Sequence, residues 1–495
     1  MQIIKRTIPQ GYSSIYVAVV VFLILIGTLL RMWGFWRPSF TGDEAGHMTK
    51  AVQMVRGLAD LLLIKNPRVA LQNIFYPLLQ HNHPPVEFLI LLPAVPFQPR
   101  EFTARLIYVS VSIGALLLGF FSIKRIRGKK VALAFLSFFS ISTYIVWFSQ
   151  PITFGLNISG GLLASIGVLY FYEFPSRRSL SILFATLTFC LFISIDFILF
   201  LPSLLLLIFQ KRKFLQSGEI IRTSILFILI VSVYYVPYIG YSFLPKSPKG
   251  AGFIHYRSYF TINRSQQVTG QYKQGLNYFL REKWDRFLGQ PGIIVMWPFL
   301  IPALIFNKRK SILFLWLMLI AVLLIEVPII PCCTVYLNIL GPVALIAAET
   351  VVILPLTSVF LSVIIIINLI STKPLLLGAP NPLIYRNWTF KNDRIREVGK
   401  IVKPCFQGSQ TYISTEDAWR ARYYFGQSML PAVENEDWTK EEAVKQFLKG
   451  YLDNAVVLIH IHVPQINPLV IEKAKLKAKR TVQIGDNQIF IYKDC

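Results

Sequence analysis

The sequence predicts an all-α polytopic membrane domain of about eleven transmembrane helices, followed by a small C-terminal α/β domain outside the membrane. Three observations lead there: apolar blocks separated by short basic loops, the side of the membrane those loops must share, and a tail whose hydrophobic periodicity switches to that of strands. Hydrophobic residues make up 54% of the chain and charged ones 15%, a membrane composition rather than that of a soluble globule.

The first block, Ile15 to Trp33, follows Lys5 and Arg6. It is too long for the apolar region of a signal peptide and lacks a small-residue cleavage site, so it is expected to remain as an anchor with a cytoplasmic N-terminus. Further blocks run at 104–122, 131–149, 157–173, 180–193, 196–209, 221–241, 291–306, 311–327, 332–348 and 351–370. The stretch Val86 to Phe97 is about 12 residues; at ~1.5 Å per residue it covers ~18 Å of a ~30 Å hydrocarbon core, and it reads as re-entrant or interfacial. The basic clusters Lys124 to Lys130, Arg177 with Arg178, Lys211 to Lys213 and Asn307 to Lys310 decide the count. With eleven crossings all of them are cytoplasmic. A further crossing at Val86 to Phe97 would put them all outside, against the positive-inside rule.

The membrane domain is thus expected over residues 1–375, with sizeable outer loops at 34–103 and 242–290, and an extracytoplasmic α/β domain over 385–495. In that tail Thr411 to Ser414, Ala455 to His460, Arg480 to Ile484 and Gln488 to Tyr492 read as strands, and segments beginning at Glu416, Thr439 and Pro468 read as helices. No internal repeat or low-complexity linker stands out, so nothing favours a solenoid or an inverted-repeat transporter.

A formal net charge of +25 could suggest a nucleic-acid partner. The excess lies mostly in the short loops and one long loop, where topology and lipid phosphate account for it, and no nucleic acid is expected. The five cysteines show no CxxC spacing: Cys190 is in an apolar block and Cys332 and Cys333 are neighbours, so a zinc site is not expected. Cys405 and Cys495 stand near the two ends of the outer domain, and a disulfide between them is left open.

Chemistry concentrates at the start of the first outer loop, Thr41-Gly42-Asp43-Glu44-Ala45-Gly46-His47-Met48-Thr49-Lys50. On a helix, Asp43, His47 and Lys50 share one stripe while Ala45, Met48, Val52 and Val55 form the opposite one. The alternative is a capping box, Thr41-x-x-Glu44, with Asp43 favoured by the helix dipole. Later in the loop, His81-Asn82-His83-Pro84-Pro85 leads into the short apolar stretch, and the prolines fix the chain where His83 meets the interface. Both histidines could ligate a metal with Asp43 or His47, or serve as polar interface groups. Arg105 opens the next span as a phosphate-binding cation or a snorkelling one. The long loop carries Arg257 and Lys283 among other bases, interleaved with Tyr256, Tyr259, Tyr272 and Trp284. Binding a phosphate headgroup with aromatics stacked on a sugar is one reading, and attraction to anionic lipid is the other.

These residues resemble the GT-C glycosyltransferases that use polyprenyl-phosphate sugars, in the branch of protein O-mannosyltransferases and the lipid A aminoarabinose transferase. Three signatures occur in the family's order: Asp43-Glu44 in the first outer loop, His83-Pro84-Pro85 at its end, and Phe102-Thr103-Ala104-Arg105-Leu106 opening the following span. Val335-Tyr336-Leu337 to Gly341-Pro342 and, in the tail, Tyr423-Tyr424-Phe425-Gly426 are similar too. The layout matches over about residues 15 to 370.

The resemblance implies transfer of a monosaccharide from a polyprenyl-phosphate donor to an acceptor on the outer face of the cell membrane, with inversion. It gives Asp43 the role of base and makes Glu44 the second acid. His47, Lys50, His83, Arg105, Arg257 and Lys283 are the candidates for binding the donor phosphate and substrate. The chain departs from the family after the third span, where many relatives carry another acid and this one reads Ser149-Gln150-Pro151-Ile152-Thr153. No metal ligand is assigned, and a divalent metal is left open. Two rival classes are a transporter or flippase of a lipid-linked sugar and a non-catalytic envelope scaffold. Transport would call for polar residues inside the spans, where only Asp196 and Glu326 are obvious, both near span ends.

Overall fold

A computed structural model describes residues 14–32, 42–80, 84–149, 152–244, 293–307, 309–329, 337–372, 394–405, 413–414, 418–425, 456–460, 472, 475–476, 478–485 and 487–492. Helix occupies part of every expected apolar block. Among the described residues, four helices are by themselves long and apolar enough to cross a bilayer: Ser14–Met32, Arg100–Arg127, Gly155–Glu173 and Ser217–Tyr241.

In chain order the helices are α1 (Ser14–Met32), α2 (Gly42–Leu62), α3 (Pro67–Gln80), α4 (Val86–Leu89), α5 (Arg100–Arg127), α6 (Lys129–Phe139), α7 (Thr143–Ser149), α8 (Ile152–Glu173), α9 (Arg177–Ile193), α10 (Leu201–Lys211), α11 (Ser217–Ser242), α12 (Leu300–Phe306), α13 (Ser311–Ile329), α14 (Leu340–Ile353) and α15 (Thr357–Ser371). The stretch read as re-entrant or interfacial makes only the single turn of α4 and a 3₁₀ turn at Leu92–Ala94, far short of a crossing. α5 stops at Gly128, whose φ of 91° lies in the left-handed region, and that residue turns the chain directly into α6.

One end of the bundle is tied by ions. Arg127 at the end of α5 pairs with Glu173 at the end of α8, and its Nε lies 2.5 Å from Glu349 Oε1 of α14. Arg127 Nη2 also donates to Ser311 Oγ at 2.6 Å, Arg309 Nη1 sits 3.3 Å from Glu349 Oε2, and Lys211 Nζ lies 3.8 Å from the Tyr172 ring centroid. The basic clusters of Arg127, Lys211 and Arg309 therefore meet at one end of the bundle. Glu349 is a buried acid that reading the spans for acids passed over; it stands at the edge of its apolar block, opposite two arginines.

The third apolar block departs from one continuous helix. It breaks between α6 and α7, and the break is held by Arg31 of α1. Arg31 Nη1 donates to Ser140 O at 2.7 Å and Gly27 O at 3.0 Å, Nη2 to Phe139 O at 2.9 Å, and Nε to Ser112 Oγ at 3.0 Å. A helix that ends inside a bilayer exposes carbonyls that no water reaches, and the guanidinium supplies the missing donors. Close contact between α8 and α14 depends on glycine: a Cβ at Gly161 would overlap the Asn338 carbonyl, and one at Gly341 would overlap the Gly161 backbone.

Beyond the bundle, α16 (Ile395–Val402) buries Ile395, Val398 and Val402 at i, i+3, i+7 spacing. It packs on a sheet of β1 (Ile413–Ser414), β2 (Val456–His460), β3 (Arg480–Ile484) and β4 (Asn487–Ile491), and beside α17 (Ala418–Phe425). The strand order is β1-β2-β4-β3, with β1 parallel to β2 and the other pairs antiparallel. The four strands expected from alternation are thus present with ends shifted by a residue or two. The helix expected from Glu416 starts at Ala418; those expected from Thr439 and Pro468, together with Cys495, lie outside the described residues or almost entirely so.

Candidate active site

α2 begins at Gly42, which sets Asp43 and Glu44 in its first turn, where the unpaired amides favour acids. Glu44 Oε1 accepts from Arg105 Nε at 3.1 Å and Oε2 from Arg105 Nη2 at 3.2 Å, a two-pronged ion pair whose residues are 2% and 4% exposed. The carboxylate reaches across to α5, which weighs against helix capping as its main task. Arg105 does not snorkel outward; it is buried against that acid.

One turn further along α2, His47 Nε2 lies 3.3 Å from Glu87 Oε2 of α4, and Glu87 is fully buried. The backbone of α4 is fixed at the same residue, because the Tyr108 hydroxyl of α5 donates to the Glu87 carbonyl. Lys50 is buried a turn beyond His47. The sequence suggests one polar and one apolar stripe on α2, yet Glu44, His47 and Lys50 are as covered as Ala45 and Met48. The reason is tertiary: α3, α4, α8 and α17 all pack around this helix.

α17 comes from the C-terminal domain and carries Arg420, which is 1% exposed. Burial holds its guanidinium down to about 10, while the neighbouring Tyr424 and Glu44 pull it up and Arg105 pushes it down. It stays a cation at neutral pH, within electrostatic reach of the Glu44 and Arg105 pair. The domain is pinned nearby: Glu101 in the first turn of α5 accepts from Tyr424 Oη at 2.8 Å and from Arg396 Nε at 3.2 Å. Tyr423, beside it, is shifted upward mainly by burial and secondarily by Glu101.

The structure thus brings Glu44, His47, Lys50 and Arg105 of the expected residues into one buried neighbourhood. Asp43 shares the first turn of α2, but its side chain, like His81, His83, Arg257 and Lys283, lies outside the described residues. Two members were missed. Glu87 had a signal, a lone acid inside the Val86 to Phe97 apolar stretch. Arg420 had none, since its position beside α2 comes from packing between distant parts of the chain. Among the described residues, Arg105 and Arg420 both lie within electrostatic reach of Glu44, and Glu101 acts on Arg105 as well, so cations and acids alternate through this buried neighbourhood. No described group of three or more His, Cys, Asp or Glu side chains is placed to hold a metal ion.

No protein-family model matches the chain, and no curated protein matches it in sequence. Its fold does match solved structures. The crystal structure of ArnT from Cupriavidus metallidurans bound to undecaprenyl phosphate superposes with a TM-score of 0.58 at 10% identity, over 98% of this chain and 99% of that one. The apo form of the same protein gives 0.59 at 10% identity, over 97% and 99%. The chain therefore shares the fold of that protein over nearly its whole length, helical body and C-terminal domain together.

Proposed function

We infer from that shared fold that the protein is an integral membrane glycosyltransferase, moving a monosaccharide from a polyprenyl-phosphate donor to an acceptor on the extracytoplasmic face with inversion. The observation that carries the reading is the buried Glu44–Arg105 pair, next in the chain to Asp43, with Arg420 added from the C-terminal domain. A phosphate is already a competent leaving group. What the protein must supply is a base for the acceptor hydroxyl, placement, and positive charge for the departing oxygens.

Asp43 is the proposed base. Glu44 is engaged elsewhere, because both of its oxygens accept from the Arg105 guanidinium; its proposed role is to fix Arg105. Arg105, Arg420 and Lys50 are the proposed phosphate-holding cations, with His47 held in place by Glu87 and with His83, Arg257 and Lys283 completing the substrate site. The membrane domain over 1–375 spans eleven times, with the basic loops cytoplasmic and the domain over 385–495 outside.

Cells lacking the protein, complemented with the original chain or with Asp43→Asn, provide the test through mass spectrometry of polyprenyl-phosphate sugars. One lipid-linked sugar should accumulate in the null strain and with Asp43→Asn, and fall with the original chain. Restoration of the pool by Asp43→Asn would remove Asp43 as the base.

A further inference from the structure

At the end of the bundle that carries the basic loops, α9 and α11 diverge and leave a groove of about 480 Å³ open to the side. Its end nearest the basic loops is lined by Arg177, Glu219 and Arg222, and its length along the two helices by Phe184, Leu226, Phe227 and Ile230. Small side chains on α9 make the space: Ser181 and Ala185, one turn apart, face α11 across the gap. From Arg222 to Ile230 the groove runs along α11 for eight residues, or ~12 Å at ~1.5 Å per residue, close to the depth of half a ~30 Å hydrocarbon core. Charge is at the rim and apolar surface inside, in the order that a lipid in one leaflet presents them.

We propose that this groove binds one anionic glycerophospholipid of the leaflet facing the basic loops, its phosphodiester between Arg177 and Arg222 and an acyl chain against Leu226, Phe227 and Ile230. The charge around the mouth selects the occupant: Arg177 and Arg222 outweigh Glu219, and Arg178 in the first turn of α9 and Arg212 and Lys213 before α11 stand exposed nearby in the chain. A basic pocket between transmembrane helices at this level is a headgroup site, and its volume falls in the usual range for small-ligand pockets.

The site matters because α11 is weakly held. Only 6% of its apolar window is buried inside the protein. Yet its far end carries Tyr234 and Tyr235, whose hydroxyls donate to Leu78 O of α3 at 3.3 Å and Leu191 O of α9 at 2.6 Å. α3 in turn packs along α2, the helix of the candidate site. A lipid wedged between α9 and α11 fills space that protein leaves empty and so clamps α11 where Tyr234 reaches α3 and Tyr235 reaches α9.

Native mass spectrometry of the delipidated full chain in detergent, incubated with dioleoyl phosphatidylglycerol or dioleoyl phosphatidylcholine, tests this. The wild type should retain one phosphatidylglycerol under activation that strips phosphatidylcholine. The double variant Arg177→Gln/Arg222→Gln removes the headgroup contacts, and Ala185→Phe fills the groove; each should lower retention about tenfold. Both arginines and Ala185 are exposed, so the variants should keep the wild-type elution volume and helical circular dichroism. Equal retention of the two lipids by the wild type, or wild-type retention of phosphatidylglycerol by either variant, overturns the proposal.

Discussion

Glu44→Gln removes the charge from one side of a pair whose side chains are 5% and 3% exposed, with guanidinium-to-carboxylate distances of 3.1 and 3.2 Å. At an exposed pair the change would cost about 0–1 kcal/mol. Here Arg105 would be left buried with its charge poorly matched and Arg420 within electrostatic reach, so the cost is expected at about 3–5 kcal/mol. Arg105→Met should cost a comparable amount by stranding Glu44. The double variant Glu44→Gln/Arg105→Met removes both charges, so it should be more stable than the sum of the single losses implies, with a coupling of about 2–3 kcal/mol. The assay is unfolding of the purified protein in one detergent, with all four forms followed in parallel by tryptophan fluorescence. Additive losses, or a Glu44→Gln loss below about 0.5 kcal/mol, would refute the reasoning, because the pair would then be neither dry nor structurally coupled.

Arg420→Gln should raise the donor KM about tenfold with a smaller effect on kcat, read by steady-state turnover with a lipid-phosphate sugar, because the proposed role is holding phosphate rather than moving a proton. Asp43→Asn should do the reverse, lowering kcat by about 10²–10⁴ with donor KM little changed. Arg31→Ala strips donors from the Phe139, Ser140 and Gly27 carbonyls and should destabilise the protein by about 3 kcal/mol or more, visible as lost monodisperse yield and faster thermal aggregation. Gly341→Ala forces α14 away from the backbone of α8 and should cost about 3 kcal/mol in the same unfolding assay, whereas Gly114→Ala, whose added Cβ meets nothing within 4 Å, should be near neutral.

Much of this molecule is determined by local sequence. Apolar blocks make helices because no other backbone form satisfies its own hydrogen bonds in lipid, and basic clusters between them mark helix ends. Strict alternation placed the strands from Arg480 and Gln488 nearly to the residue, because a half-buried strand has a period of two that survives in any context. The acid pair at Asp43 and Glu44 was legible as the start of a helix. What the sequence could not decide was which neighbour each charge would meet. Glu44 and Arg105 are 61 positions apart, Arg31 and Ser140 are 109 apart, and Glu101 and Tyr424 are 323 apart. A buried charge has no local periodicity to betray its partner. Its pairing is chosen by the packing of whole helices and enforced by the cost of leaving it unpaired, so only the assembled bundle with its C-terminal domain could bring Arg420 to the candidate site and Arg31 to the break between α6 and α7.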